Sequence, residues 1–175
     1  MTVHQSKRDF ISLGPSIRRL ASEMGVKHTG SDALSALIVD IKEYLTNLDK
    51  KIIILLESNR VKTIKFEDVK YFVPDLIKTE YKPCRSKSKE YKHAGKKYKL
   101  TDCHFLTKAV IERHVRKDIG NQYRLSQEGL DSLIDALQLR LIKVISSAGL
   151  ITRHAGRNTM NEGDVFVALH ALSKC

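Results

Sequence analysis

The side chains of this 175-residue chain that could do chemistry are mainly cations, and the chemistry open to them is the binding of a polyanion. Lysine and arginine total 31 against 20 aspartates and glutamates, a formal net charge of +11 with a pI near 9.6. The excess is concentrated. Between Lys78 and Lys99 nine cations (Lys78, Lys82, Arg85, Lys87, Lys89, Lys92, Lys96, Lys97 and Lys99) stand against Glu80 and Glu90, a net +7. Tyr81, Tyr91 and Tyr98 are interleaved with them. Such a density attracts polyanions. The alternatives are a lysine-rich solvated surface and a linker that is merely solvated.

Other chemistry lacks its residues. No Gly-rich phosphate loop or dinucleotide turn is present. Cys84, His93, Cys103 and His104 do not have zinc-site spacing. No paired carboxylates or nucleophile–base set stands on a recognisable scaffold. We therefore expect no catalytic residue, no metal and no cofactor. Three cysteines without repeated spacing point to a reducing compartment. No apolar run reaches ~18 residues, so no membrane partner is expected. The first residues, MTVHQSKRDF, lack a signal-peptide core. Cytosol, nucleus, nucleoid or virion would fit.

The elements that must position these cations are legible from an internal repeat. Thr63, Asp68 and Val69 recur as Thr159, Asp164 and Val165 at a constant offset of 96 residues. The offset extends upstream without a gap: Leu34 matches Leu130, Leu37 matches Leu133, Ile38 matches Ile134, Ile41 matches Leu137, Leu45 matches Leu141 and Leu48 matches Val144. Steps of three and four mark amphipathic helices. The chain is a duplication, and units this small need each other to bury enough surface.

The expected plan is short helix, loop, long helix, loop, short helix, twice. Residues 1–13 read as a tail and 14–77 as the first unit. Residues 78–104 read as a basic linker too polar to fold alone, and 105–175 as the second unit. Gly14-Pro15 opens the first helix and Gly25 closes it. A long helix of roughly 40 Å follows from about Asp32 to Ser58. Its stripe is Leu34, Leu37, Ile38, Ile41, Leu45, Leu48, Ile52 and Leu55. Lys65–Val73 is the third helix. In the second unit Thr107–Lys117 is the first helix. Ser126 caps the long helix to about Thr152, and Asn161 with Asp164 forms a capping-box arrangement for the last. No strand-length alternation is visible. The long stripes outrun their own short helices, so each long helix must pack on the other.

This plan resembles the histone fold. Arg18-Arg19-Leu20-Ala21 with Gly25-Val26-Lys27 is similar to histone four. His154-Ala155-Gly156-Arg157-Asn158-Thr159 followed by Asp164 is similar to histone three, as is a first helix and loop two residues longer than those of the first unit. The resemblance is to a fused core-histone doublet of the kind found in large DNA viruses, with simpler doublets in archaea. It implies an all-α fold of two histone folds paired within one chain as a handshake. Its implied function is to wrap and compact duplex DNA without reading sequence, forming nucleosome-like particles. A histone-fold transcription-factor subunit and a protein-interaction scaffold are the rivals.

The resemblance also assigns residues. The minor-groove arginine of the first loop falls on Arg124 and, in the first unit, on His28, with Lys27 as a substitute cation. The second-loop arginine that pairs with the fixed aspartate is kept as Arg157 with Asp164. It is replaced by Val61 in the first unit, between Arg60 and Lys62. Thr63, Thr159 and Ser126 join the expected DNA contacts, as do Arg18, Arg19 and Arg113 on the first helices. His154, Arg157 and Asp164 would join two chains through the second unit. Implied partners are double-stranded DNA, a second copy and a histone-two-like doublet. Implied locations are a host nucleus, a viral factory or virion, or an archaeal nucleoid. The Thr159 copy of the repeat is expected to carry a groove contact, and the Thr63 copy to be weaker on DNA.

Overall fold

The structure, a computed structural model, describes residues 10–76, 89–93, 96–100 and 106–173. Among them six helices run short, long, short, twice over: α1 (Gly14–Glu23), α2 (Ser31–Ser58), α3 (Phe66–Phe72), α4 (Lys108–Ile119), α5 (Gln127–His154) and α6 (Glu162–Ser173). The expected plan is the observed one. The long helices are 28 residues each and start 96 positions apart, at Ser31 and Gln127. Pro15 occupies the first turn of α1, and Gly25 and Gly120, both with positive φ, follow α1 and α4. The 12-residue α4 is two residues longer than α1. Asn161 and Asp164 exchange backbone and side-chain bonds of 3.0 and 3.1 Å at the start of α6, the reciprocal arrangement expected there.

The two triplets are interleaved. α2 packs on α4 and α6 of the other triplet as well as on α5, and α5 packs on α3. Leu37, Ile41, Leu45, Leu48 and Ile52 of α2 meet Leu133, Leu137, Leu141, Val144 and Ile145 of α5 within one buried core. At ~25 cal/mol per Å² of apolar surface, this cover is the main stabilising term. Polar contacts set the register. Arg140 on α5 forks onto Asp40 on α2 at 2.8 and 3.1 Å, and Lys143 reaches Asp75 at 2.6 Å.

Two pairs of short parallel strands tie the loops. β1 (His28–Thr29) pairs with β6 (Thr159–Met160), and β2 (Thr63–Ile64) pairs with β5 (Arg124–Leu125). At the second pair the backbones nearly touch: a Cβ on Gly129 would lie 2.5 Å from the Ile64 carbonyl oxygen. Only glycine allows α5 to start this close.

Several expectations are corrected. The basic linker contains an antiparallel hairpin, β3 (Lys89–His93) and β4 (Lys96–Leu100), with Tyr91 opposite Tyr98 and β3 against α5. Leu100 is the only aliphatic residue in the two strands, so no apolar strand period marks them in the sequence. The rest of residues 78–104 lies outside the described residues, as do residues 1–9. Phe10 and Leu13, assigned to the tail, are buried in the core. The α2 stripe ends on Leu56, and Leu55 is only half-buried. Four-residue steps from Leu48 through Ile52 keep that face turned inward.

Asp49 breaks the pattern. It is fully buried, neither carboxylate oxygen has a hydrogen-bond partner, and its counterpart 96 positions on is the core residue Ile145. Burial, helped by the negative charge of Asp118, pushes its pKa from 3.8 up to about 8. Nearby, Thr46 Oγ1 lies 3.0 Å from His114 Nε2 and 3.1 Å from Asp118, and Phe10 meets the His114 ring edge-on at 4.9 Å. The folded state keeps the Asp49 proton that the unfolded state releases, so stability is greatest below pH 4 from this group and falls until pH 8. Asp49→Leu should raise stability at neutral pH. It should also remove a slope of up to about 1.4 kcal/mol per pH unit between pH 5 and 8. Denaturant titrations of both proteins across that range check this, and an unchanged slope would refute it.

Candidate nucleic-acid interface

Each strand pair joins a first loop of one triplet to a second loop of the other. Helix N-termini converge at both pairs. α2 and α6 start beside β1 and β6, and α3 and α5 start beside β2 and β5. Free backbone amides and the helix dipoles make such points favourable for phosphate. His28 lies opposite Thr159 and Thr63 opposite Arg124, matching positions of the two pairs. Loop amides hold them together: Arg124 N donates to Lys62 O at 2.7 Å, and His28 N donates to Asn158 O at 3.2 Å.

The pairs differ in charge. Arg60, Lys62, Lys65 and Arg124 are all exposed at β2–β5. Lys27 and His28 are exposed at β1–β6, where Arg157 is half-buried. Arg157 is also committed to Asp164, with bonds of 2.6 and 3.1 Å. Asp32 then places a carboxylate where an anion would dock. It accepts from Ala33 N at 2.9 Å and from Glu162 N at 3.4 Å, so it spans the N-termini of α2 and α6. These amide bonds, Ala33 first, lower its pKa below the usual carboxylate value. The Thr63 copy of the repeat thus sits at the cation-rich end beside Arg124. The Thr159 copy sits at the end with His28 and Asp32. Each copy of the repeat thus shares its end of the molecule with the first loop of the other triplet, so the cations around it are those of two loops.

Other expected residues take definite places. Arg18, Arg19 and Arg113 are exposed on α1 and α4. Ser126 is half-buried, and its hydroxyl donates to Ile64 O at 2.7 Å while accepting from Gly129 N at 3.0 Å. It caps α5 and ties it to β2, so it positions the loop and its hydroxyl is used within the protein. Thr63 is half-buried and Thr159 exposed. Asp164 is buried. Burial alone would raise its pKa, but bonds from Arg157, Asn161 N and Thr152 Oγ1 outweigh it and the net shift is downward. Its carboxylate is engaged within the chain, whereas His154 at the end of α5 is exposed.

Sequence reasoning missed Asp32, whose only signal was an acid in the first helical turn. It also missed the backbone at Arg60. Arg60 has φ of +55°, and its counterpart 96 positions on is Gly156 at +67°. The second loop demands a left-handed residue. The first unit places arginine there, beside Val61, the counterpart of Arg157.

The arrangement superimposes on the crystal structure of the histone from Methanopyrus kandleri with a TM-score of 0.61, over 89% of this chain and 91% of that one, at 16% identity. The fold is the histone fold. No family model and no curated protein matches by sequence. At this identity the likeness concerns the fold, and the superposition extends over both triplets of the chain. The histone fold explains why two paired-loop ends carry the exposed cations: the handshake brings one first loop and one second loop to each end.

Arg60→Gly separates the two roles of that position. Relief of the left-handed backbone should stabilise the protein by about 1 kcal/mol. The lost cation should weaken attraction of this end to a polyanion and flatten the salt dependence of any such binding. Thermal melts and salt-titrated binding measure both. A variant less stable than wild type would show that the loop does not impose this strain.

Proposed function

We propose that the protein is an architectural DNA-binding protein, a fused pair of histone folds that bends duplex DNA around itself without reading base sequence. The observation that carries this is the convergence of paired loops, helix N-termini and exposed cations at two related ends of one rigid handshake. In this reading amides and dipoles at these ends take phosphates, and Arg124 is the side chain that would enter a minor groove. The +11 charge supplies the long-range attraction. Nothing in the geometry favours base-edge readout.

In this reading the histone-four-like half precedes the histone-three-like half. The protein works where DNA is stored, in a host nucleus, viral factory, virion or archaeal nucleoid, and it is not an enzyme. Two copies join through the end of the second unit. In the second unit His154 is exposed, as are the apolar side chains of Leu150, Phe166 and Val167, by 42%, 55% and 56%. A histone-two-like doublet would meet the other end, where Ile54 and Tyr71 are exposed.

Nuclease digestion of protein–DNA mixtures tests the proposal. Wrapping gives a protected length independent of sequence. One sequence-specific footprint would instead indicate a transcription-factor subunit, and no protection at moderate salt a protein scaffold. Arg124→Ala should weaken binding to all sequences alike and lower the salt slope by ~0.9. Asp32→Asn removes the carboxylate that competes with phosphate and should tighten binding several-fold. Unchanged or weaker DNA binding by Asp32→Asn would show that no phosphate docks at that end.

A further inference from the structure

The two paired-loop ends differ in one matched pair of side chains. At the β2–β5 end Tyr123, the residue just before β5, donates its hydroxyl to Glu57 Oε1 at 3.0 Å. This bond joins the first loop of the second triplet to the last turn of α2. With the offset of 96, the counterparts at the β1–β6 end are Lys27, just before β1, and Arg153, in the last turn of α5. Both are exposed. A hydrogen bond at one end is thus matched by two like charges at the other.

The fold brings these two cations to one place. A Cβ built on Gly149, one turn before Arg153, would lie 3.0 Å from Val26 Cγ2 and 3.9 Å from Arg153 Nη1. Val26 of the first loop therefore packs close on α5. The guanidinium folds back along the helix toward it, the direction that helical side chains take. Lys27 follows Val26 directly. Among the described residues neither Lys27 nor Arg153 has a hydrogen-bond or ion-pair partner. The helix dipole favours a cation at the end of α5, but it does not account for a second one on the facing loop. Two like charges so placed repel, and an anion between them reverses the sign of the interaction. Asp32 already takes up the amides of Ala33 and Glu162 at this end, so an anion there depends on side-chain cations.

We propose that Lys27 and Arg153 together bind one backbone phosphate of duplex DNA, in the place that the Tyr123–Glu57 bond fills at the other end. The inference rests on the DNA-binding reading above. The phosphate stands where Glu57 stands, as the anion that accepts from the facing loop. Arginine can fork onto two phosphate oxygens, and lysine adds a point charge. The contact fixes position on the duplex and carries no sequence information. The β2–β5 end has its tie from loop to long helix within the protein, and the β1–β6 end completes the matching tie with DNA in place.

Anisotropy of a short fluorescent duplex titrated with the full chain tests this. One phosphate contact carries a salt slope of ~0.9, about a fivefold change in affinity between 1 M and 150 mM salt. Arg153→Ala and Lys27→Ala should each weaken duplex binding several-fold at the lower salt, on all sequences alike. Because the two share a phosphate, the double variant should lose less than the product of the single losses, by about twofold or more. Both side chains are exposed, so the variants should melt as wild type does. Duplex binding by Arg153→Ala equal to wild type would overturn the site. So would strictly multiplicative losses, which mean two independent solvated cations, and so would a lowered melting temperature, which means a structural role. Melting with inorganic phosphate alone forms a separate arm. A stabilisation that Arg153→Ala abolishes while its duplex binding is unchanged would reassign the pair to a free anion. A wild type that does not bind duplex would remove the DNA-binding reading and this site with it, whereas a wild type that binds no better than both variants would remove the site alone.

Discussion

A 28-residue helix with an apolar stripe along its whole length needs more cover than two short helices at its ends can give. That shortage organises the molecule. α2 borrows α4 and α6, α5 borrows α3, and the long helices cross on each other. Once they cross, the first loop of one triplet must lie beside the second loop of the other. The short parallel pairs β1–β6 and β2–β5 are where the backbone amides of those loops find partners. The candidate interface is thus a by-product of burying the stripes. No separate element builds it, and anything that loosens the crossing also separates Arg124 from Lys62 and His28 from Asn158.

The duplication makes differences between halves informative, because the same backbone position is seen twice. Where the halves agree, as at Leu45 and Leu141, packing explains the residue. Where they differ, packing often does not. Asp49 stands where Ile145 is, Arg60 where Gly156 is, Val61 where Arg157 is, and Gly30 where Ser126 is. Ser126 joins α5 to β2 through its hydroxyl, whereas Gly30 has no side chain to offer and the carboxylate of Asp32 bridges α2 to α6 in its place. One end of the molecule is therefore tied by a neutral hydroxyl and the other by a carboxylate, which takes up the amides of Ala33 and Glu162.

Helix order, the handshake and the long-helix bounds were legible because apolar periodicity reports burial directly. Arg124, Arg157 and Asp164 were legible because they sit at fixed spacings from other recognisable residues. What stayed hidden had no such signal. A charged residue on a helix reads as solvent-facing, so Asp49 could not be told from its exposed neighbour Lys50. A φ of +55° leaves no mark in composition when the residue is arginine. The hairpin of Lys89–His93 and Lys96–Leu100 is a strand pair without aliphatic alternation, and charge density alone made it look like linker.

Arg60 and Asp49 share a logic despite their opposite charges. Each is a residue that the backbone or the core disfavours, at a position where the other half of the molecule carries the unstrained choice. Such costs persist only when the surrounding structure over-determines the residue or when it serves something beyond stability. For Arg60 the gain is visible, since glycine would remove one of four exposed cations at the end where Val61 stands in the place that Arg157 takes in the other half. For Asp49 the neighbours give the direction of the argument. Asp118, His114 and Thr46 already form a bonded polar set between α2 and α4, and Phe10 closes it. Burial keeps this carboxyl protonated beside them, so the seam between α2 and α4 carries Asp118 without a second negative charge next to it.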